Sequence, residues 1–282
     1  RRCGDQGQGG HGQGLLGGLP EVRGQTQGLR GRQVRHLLLL PVAPGREGPA
    51  HLSSRPVPDL RTAGARTGQD RQAMLLAVRR AGSRLLPDLR KAGKGGPINE
   101  CIYNTSDNYK VLPGDQNLIA LDVGIRENNK QNFLSTELKK IEDEFDYTII
   151  DTPPTLNQLT IEALFAASGT LIPLQCEYYS LEGVAGLMQT IQTLSDKNLT
   201  SNRVLGIIRT MVDMRNNLAK EVSDELEKHF SSLVFNTLIP RNIKLAEAPS
   251  HGVSGVKYMP TSYGAKAYLA LAGELIRKVE YV

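Results

Sequence analysis

No run of about 18 or more consecutive apolar residues occurs in the chain, which argues against a membrane-spanning helix. The run Leu37-Leu38-Leu39-Leu40 is too short to span or to export. At the start of the chain, Gly and Gln fill the place that an apolar core takes in a secretory signal. Cysteine is scarce: Cys3, Cys101 and Cys176 form no CxxC and have no metal-ligand spacing. A reducing bacterial cytosol is therefore the expected compartment. No Ile, Phe, Tyr or Asn precedes residue 95, whereas 17 of the 29 glycines do. Beyond that point Ile, Asn, Tyr and Lys become ordinary.

The charge is split at the same seam. Residues 1–94 carry 17 Lys+Arg against 6 Asp+Glu, a net of +11, and the remainder, 17 against 23, carries −6. A basic half can signal nucleic-acid or anionic-surface binding. Here the Gly/Gln/Arg/Pro-rich composition offers little apolar surface to offset the cost of ordering it. Only residues 72–89 look weakly helical. Residues 1–95 are thus read as a disordered basic tail, a separate domain, or the product of a wrong reading frame. Residues 96–282 are read as one domain, and 282 residues are enough for a sizeable core.

After the seam, strand and helix patterns alternate. Strands are expected at 109–112, 147–150, 170–174, 204–211 and 234–239, and helices at 132–144, 156–167, 181–194, 218–230 and 263–279. The compact apolar run 147–150 is of the kind buried on both faces of a parallel sheet. Strands separated by helices of this length predict an α/β fold with a doubly wound, mainly parallel sheet. Ligands in such sheets bind at the carboxyl ends of the strands. Polar motifs sit in those places: Asp151, then Gln175-Cys176-Glu177, then 211–215, then Pro240-Arg241-Asn242. They point to one site along one sheet edge.

Each motif has a bland reading. Asp151 suits Mg²⁺, which prefers oxygen ligands and keeps several waters, or it caps the next helix. Pro153-Pro154 fix the backbone leaving the strand. Ser180 is a candidate N-cap. Arg241 can be a solvated turn residue, and Arg215 and Lys244 ordinary surface charges. His251, alone in a loop, is read as structural, and Cys176 is given no nucleophilic role.

Four stretches in order carry a family resemblance: Tyr147-Thr148-Ile149-Ile150-Asp151-Thr152-Pro153-Pro154, then 172–183, 210–218 and 239–252. Together they resemble the ParA/Soj family of deviant-Walker ATPases, across roughly residues 96–279. The resemblance implies a P-loop NTPase-like fold, ATP and Mg²⁺ as cofactors, and an ATP-dependent homodimer. It further implies nonspecific DNA and a ParB-type protein as partners, and a cytoplasmic, nucleoid-associated location with no membrane. It places Asp151 in the Walker B position, at the metal through water. Met211, Pro240, Arg241 and Asn242 fall around the adenine, and Arg215 and Lys244 on the DNA backbone. No catalytic residue is assigned. A MinD-like membrane ATPase and a ferredoxin-type reductase of the same superfamily are remote alternatives.

The family's glycine-rich phosphate loop, with its lysines and water-positioning aspartate, is not legible. Gly93-Lys94-Gly95-Gly96 lacks the second lysine and a following Ser or Thr. The family's phosphate-loop strand is central, so its absence predicts a gap in the sheet between exposed edges. A shift of one base over the codons for residues 5–13 permits a Lys-Gly-Gly-x-Gly-Lys core, and 21–28 permits a second family-like string. The position after the final lysine cannot become Thr or Ser. A nucleotide-dead DNA- or partner-binding module is the competing function.

Overall fold

The computed structural model describes residues 35–42, 73–80, 98–105, 109–114, 118–127 and 132–280. Eight strands form one sheet in the order β3-β4-β2-β5-β1-β6-β7-β8. They are β1 (Arg35–Leu39), β2 (Ala73–Arg80), β3 (Tyr103–Asn104), β4 (Tyr109–Gly114), β5 (Tyr147–Asp151), β6 (Gly169–Gln175), β7 (Arg203–Val212) and β8 (Ile239–Pro240). All neighbours run parallel except β3 against β4. The helices are α1 (Leu118–Glu127), α2 (Phe133–Lys139), α3 (Gln158–Ala166), α4 (Ser180–Asp196), α5 (Asn217–Phe230), α6 (Ile243–Glu247), α7 (Gly255–Tyr258) and α8 (Tyr263–Glu280).

Apolar alternation along each strand divides the core between the two faces. Leu38, Ile150, Ile172 and Ile207 pack with residues from α1 to α5. On the opposite face Leu37, Leu171, Leu205 and Ile208 pack with Leu271, Leu275 and Val279 of α8. The doubly wound α/β expectation holds. From β1 the chain runs to β2 and β4 on one side, returns to insert β5 between β1 and β2, and crosses to β6, β7 and β8 on the other side. The order therefore reverses around β1, and the crevice of such a sheet lies at the β1 exit.

The predicted gap does not exist. β1 fills it, pairing from Leu39 to Asp151 on one side and from Leu39 to Leu171 on the other. The weakly helical reading of 72–89 is also overturned at 73–80, which is β2, paired with β4 and β5. The strings at 5–13 and 21–28, and Gly93–Gly96, lie outside the described residues.

The strand expected at 234–239 is interrupted. Only a bridge at Val234 and the two residues of β8 pair with β7. Side chains take the backbone groups in between. Glu274 accepts from the N–H groups of Asn236 and Thr237 at 2.8 and 2.9 Å, and Arg209 donates to the carbonyls of Phe235 and Asn236 at 3.0 and 3.5 Å. Gly206 is needed at this crossing, because a Cβ there would stand 2.5 Å from the Leu233 carbonyl oxygen.

The helix expected at 132–144 shortens to α2 plus a 3-10 turn at Glu142–Glu144. Its start is held from another helix: the buried Glu162 carboxylate accepts from Asn132 and Leu134 N–H at 3.0 and 3.2 Å. Burial raises the pKa of that carboxyl, and the backbone N–H groups of Leu134, Asn132 and Phe133 oppose the shift. Among the described residues no helix is long and apolar enough to cross a membrane.

Candidate functional site

Every polar motif singled out in the sequence leaves the sheet at the same edge. β5 ends on Asp151, half-buried, level with Leu39 of β1. Thr152 pins this exit, donating to the Leu39 carbonyl from both N–H, at 3.2 Å, and Oγ1, at 2.9 Å. Two strands further on, β6 ends on Gln175, followed by the buried Cys176 and the exposed Tyr178 and Tyr179, whose rings meet edge to face at 5.4 Å. Burial raises the Cys176 thiol pKa and Arg209 opposes the shift, consistent with a packed rather than a reactive cysteine.

β7 carries an unusual backbone on this edge. Met211 has φ 53° and lies where the β7–β8 register shifts between Thr210 and Val212. A non-glycine residue held there costs about 1–3 kcal/mol and persists only where surrounding structure fixes it. The neighbouring loop is tied to the bulge, since Arg241 N–H donates to the Val212 carbonyl at 3.0 Å. Pro240 ends β8, and Asn242 caps α6 by accepting from Leu245 N–H at 3.3 Å. Four strand steps separate β5 from β8, so Asp151 and the Pro240–Asn242 loop stand about 19 Å apart at the usual strand spacing. They share a rim and occupy its two ends.

Of the two cations expected to meet DNA, Arg215 lies in the loop after β7 and Lys244 in α6, just after the loop that follows β8, and each is engaged by a local acid. Arg215 is exposed, and its guanidinium grips Asp213 with Nε at 2.9 Å and Nη2 at 2.7 Å. Those hydrogen bonds from the Arg215 side chain hold the Asp213 carboxyl down at about 2. Lys244 Nζ lies 2.9 Å from Glu247 Oε2, an oxygen that also accepts from the Tyr258 hydroxyl at 3.2 Å. The hydrogen bond that Lys244 donates to Glu247 raises the Lys244 pKa. His251 stacks on Tyr258 with ring centroids 4.6 Å apart, a packing role.

The middle of the rim, at the switch point, is differently furnished. Leu40 N–H donates to Leu171 O at 3.0 Å and Val42 N–H to Pro173 O at 3.4 Å, and Pro41 has no N–H. Binding phosphate on backbone amides requires donors that are not already committed. In sequence, residues 41–50 contain one cation, Arg46, and no Lys, Ser or Thr. The Asp151 carboxylate is of the donor type that Mg²⁺ takes, and Met211 with Pro240–Asn242 offers apolar and polar groups of the kind a base would need; Leu40–Val42 do not fit a phosphate cradle.

Three residues of consequence were not singled out in the sequence. Arg209, 5 % exposed, joins β7 to α5 through Ser223 Oγ at 2.8 Å and the Glu227 carboxylate. A charged residue inside the apolar run 204–211 is the signal for such a clasp. Asp213 and Glu247 were visible only as acids two and three positions from the cations they engage.

The description "AAA domain" belongs to the family model that matches residues 69–207, a stretch that begins upstream of the compositional seam. An uncharacterised protein of Pseudomonas putida is 43% identical over 177 residues, covering 62% of this chain and 67% of that protein. The sporulation initiation inhibitor protein Soj of Bacillus subtilis is 40% identical over 194 residues, covering 63% of this chain and 77% of Soj. In fold, the chain matches cobyrinic acid a,c-diamide synthase from Mycobacterium smegmatis, solved with bound ADP and magnesium. That match has a TM-score of 0.65 at 23% identity, over 87% of this chain and 95% of the other. With Soj 40% identical and covered over 77% of its length, the chain belongs to the ParA/Soj family of partition ATPases.

Proposed function

We propose that this chain serves DNA partitioning through a Mg²⁺–ATP site along the rim from Asp151 to Asn242, and that its nucleotide handling is impaired. The observation that carries the reading is Met211, held at positive φ in a register shift beside the Pro240–Asn242 loop. A half-buried thioether and a proline give an adenine its apolar faces, and Arg241 and Asn242 give it polar edges. At the other end Asp151 would hold Mg²⁺, through water. When bound, the ion would neutralise charge on the phosphate oxygens. Between them the committed amides of Leu40 and Val42 support the impairment.

In this reading Arg215 and Lys244 face nonspecific duplex DNA, a ParB-type protein is the regulatory partner, and ATP favours a homodimer. Association with DNA would place the protein on the nucleoid, in the cytoplasm. Residues 96–282 form the ATPase-like unit, and residues 1–95 contribute β1 and β2 to its sheet while keeping an anomalous composition. Sequencing the gene over codons 1–95 tests the reading-frame explanation of that composition: an intact frame with no insertion or deletion removes it.

The committed β1-exit amides also favour a second reading, a nucleotide-dead module that binds DNA or a partner. One titration separates the two. Competition against a fluorescent adenine nucleotide, with Mg²⁺, is expected to give weak binding in which adenosine competes almost as well as ATP. Asp151→Ala should remove the Mg²⁺ dependence and Met211→Ala the adenosine competition. Binding at no concentration leaves the nucleotide-dead module; tight ATP binding with steady turnover overturns the impairment.

A further inference from the structure

The cations of the proposed DNA surface are each engaged by an acid close in sequence, Arg215 by Asp213 in the β7–α5 loop and Lys244 by Glu247 within α6. Asp213 Oδ1 accepts from both Arg215 Nε, at 2.9 Å, and Arg215 N–H, at 3.1 Å, while Oδ2 accepts from Nη2 at 2.7 Å. Glu247 Oε2 takes Lys244 Nζ at 2.9 Å and the Tyr258 hydroxyl at 3.2 Å. We propose that Asp213 and Glu247 are internal competitors of DNA phosphate, occupying Arg215 and Lys244 and so keeping the affinity of this surface low and readily reversed. The inference rests on the reading of these two cations as DNA contacts.

The geometry explains how Asp213 occupies its cation. A guanidinium presents five donors on a planar fork, and its Nε–Nη2 edge matches a carboxylate or a phosphate equally. That edge of Arg215 is filled by Asp213, so a phosphate must displace the acid or settle for the outer edge. The loop backbone also holds Asp213 in register, through the Arg215 N–H bond, so the acid is presented rather than merely nearby. Its charge persists at any physiological pH, because its carboxyl titrates at about 2. Arg241, exposed on the next loop, also pulls on Asp213, so one carboxylate screens two cations of the rim. Exposed ion pairs are individually weak; the competition therefore tunes binding and does not abolish it.

The test uses the full chain, with and without Mg²⁺–ATP, and a labelled mixed-sequence DNA duplex of about 25 base pairs, followed by fluorescence anisotropy from about 50 to 200 mM salt. Asp213→Asn with Glu247→Gln keeps the size of each side chain and one acceptor oxygen on each, and removes both charges. The pair is expected to tighten binding by about three- to tenfold and to steepen the log–log salt dependence by about 0.9 for each released cation. Glu225→Gln removes one charge from α5, about 12 Å beyond its first residue, and should change affinity by less than about twofold. If Glu225→Gln tightens binding as much as the double variant, bulk charge is responsible and the inference fails. If Arg215→Glu with Lys244→Glu abolishes binding while the double variant leaves it unchanged, the inference fails and the DNA reading stands. If no form binds at low salt, or the charge reversals have no effect, the DNA reading fails and takes the inference with it.

Discussion

β1 and β7 are both parallel strands inside the same sheet, each paired on two sides, and each leaves by the edge where ligands bind in such folds. Their exits differ. β1 runs out through Leu40-Pro41-Val42, whose available amides continue the pairing with β6. β7 breaks its register at Met211 and opens into a loop bearing Asp213 and Arg215, closed by Asn216, which caps α5 by accepting from Leu218 N–H at 3.0 Å. A central position supplies a frame; the chemistry comes from donors and charges that regular pairing has not consumed.

The strongest way to break this comparison is to ask whether β1 is part of the frame at all. Leu38 is fully buried against the α1–α5 side, and Leu38→Ala should lower stability by about 3 kcal/mol. The denaturation midpoint reads the loss, and an unchanged midpoint would take β1 out of the core. A smaller effect sharpens the β7 side. Arg209→Met strands the carbonyls of Phe235 and Asn236, and a loss of about 2 kcal/mol is expected. Faster hydrogen exchange confined to residues 235–237 and α5 would accompany it; uniform exchange across the sheet would contradict the clasp.

The smallest effect is a pH dependence within β1. Burial lowers the His36 pKa from 6.5 to about 4, and its Nδ1 has no hydrogen-bond partner among the described residues. The unfolded chain therefore takes up the proton first. Stability from the neutral imidazole is complete above about pH 6.5 and declines as pH falls toward 4, by on the order of 1 kcal/mol for a ring that water partly reaches. Glu162, raised by burial, works in the opposite direction. The informative measurement is the difference between wild type and His36→Gln, and parallel pH profiles would show that β1 does not bury this ring.

Most of the sheet from β5 onward was legible because local pattern and tertiary role agree there. The apolar run 147–150 is a strand buried on both faces, and the polar residues following 151, 175 and 212 mark strand exits. The same rule applied to Leu37–Leu40 finds β1; the low-complexity surroundings concealed it. α1 also left a signal, since Leu118, Leu121 and Ile125 share one helical face and pack in the core. The break at 234–239 was not legible, because the groups that replace pairing come from Arg209 and Glu274, far away in sequence. The rim itself was foreseen, with Asp151 and the Met211–Asn242 group on one edge. Its acids were not, because an ion pair between exposed neighbours has no periodicity to betray it.

The side-chain clasp on residues 235–237 has a consequence at the margin of the molecule. An open strand edge is a template on which another chain can add, and repeated addition makes fibres. Beyond β7, Glu274 saturates the N–H groups of Asn236 and Thr237, Arg209 takes the carbonyls beside them, and Pro240 has no N–H to give. The sheet stops growing there because its last row of hydrogen bonds has already been made inward.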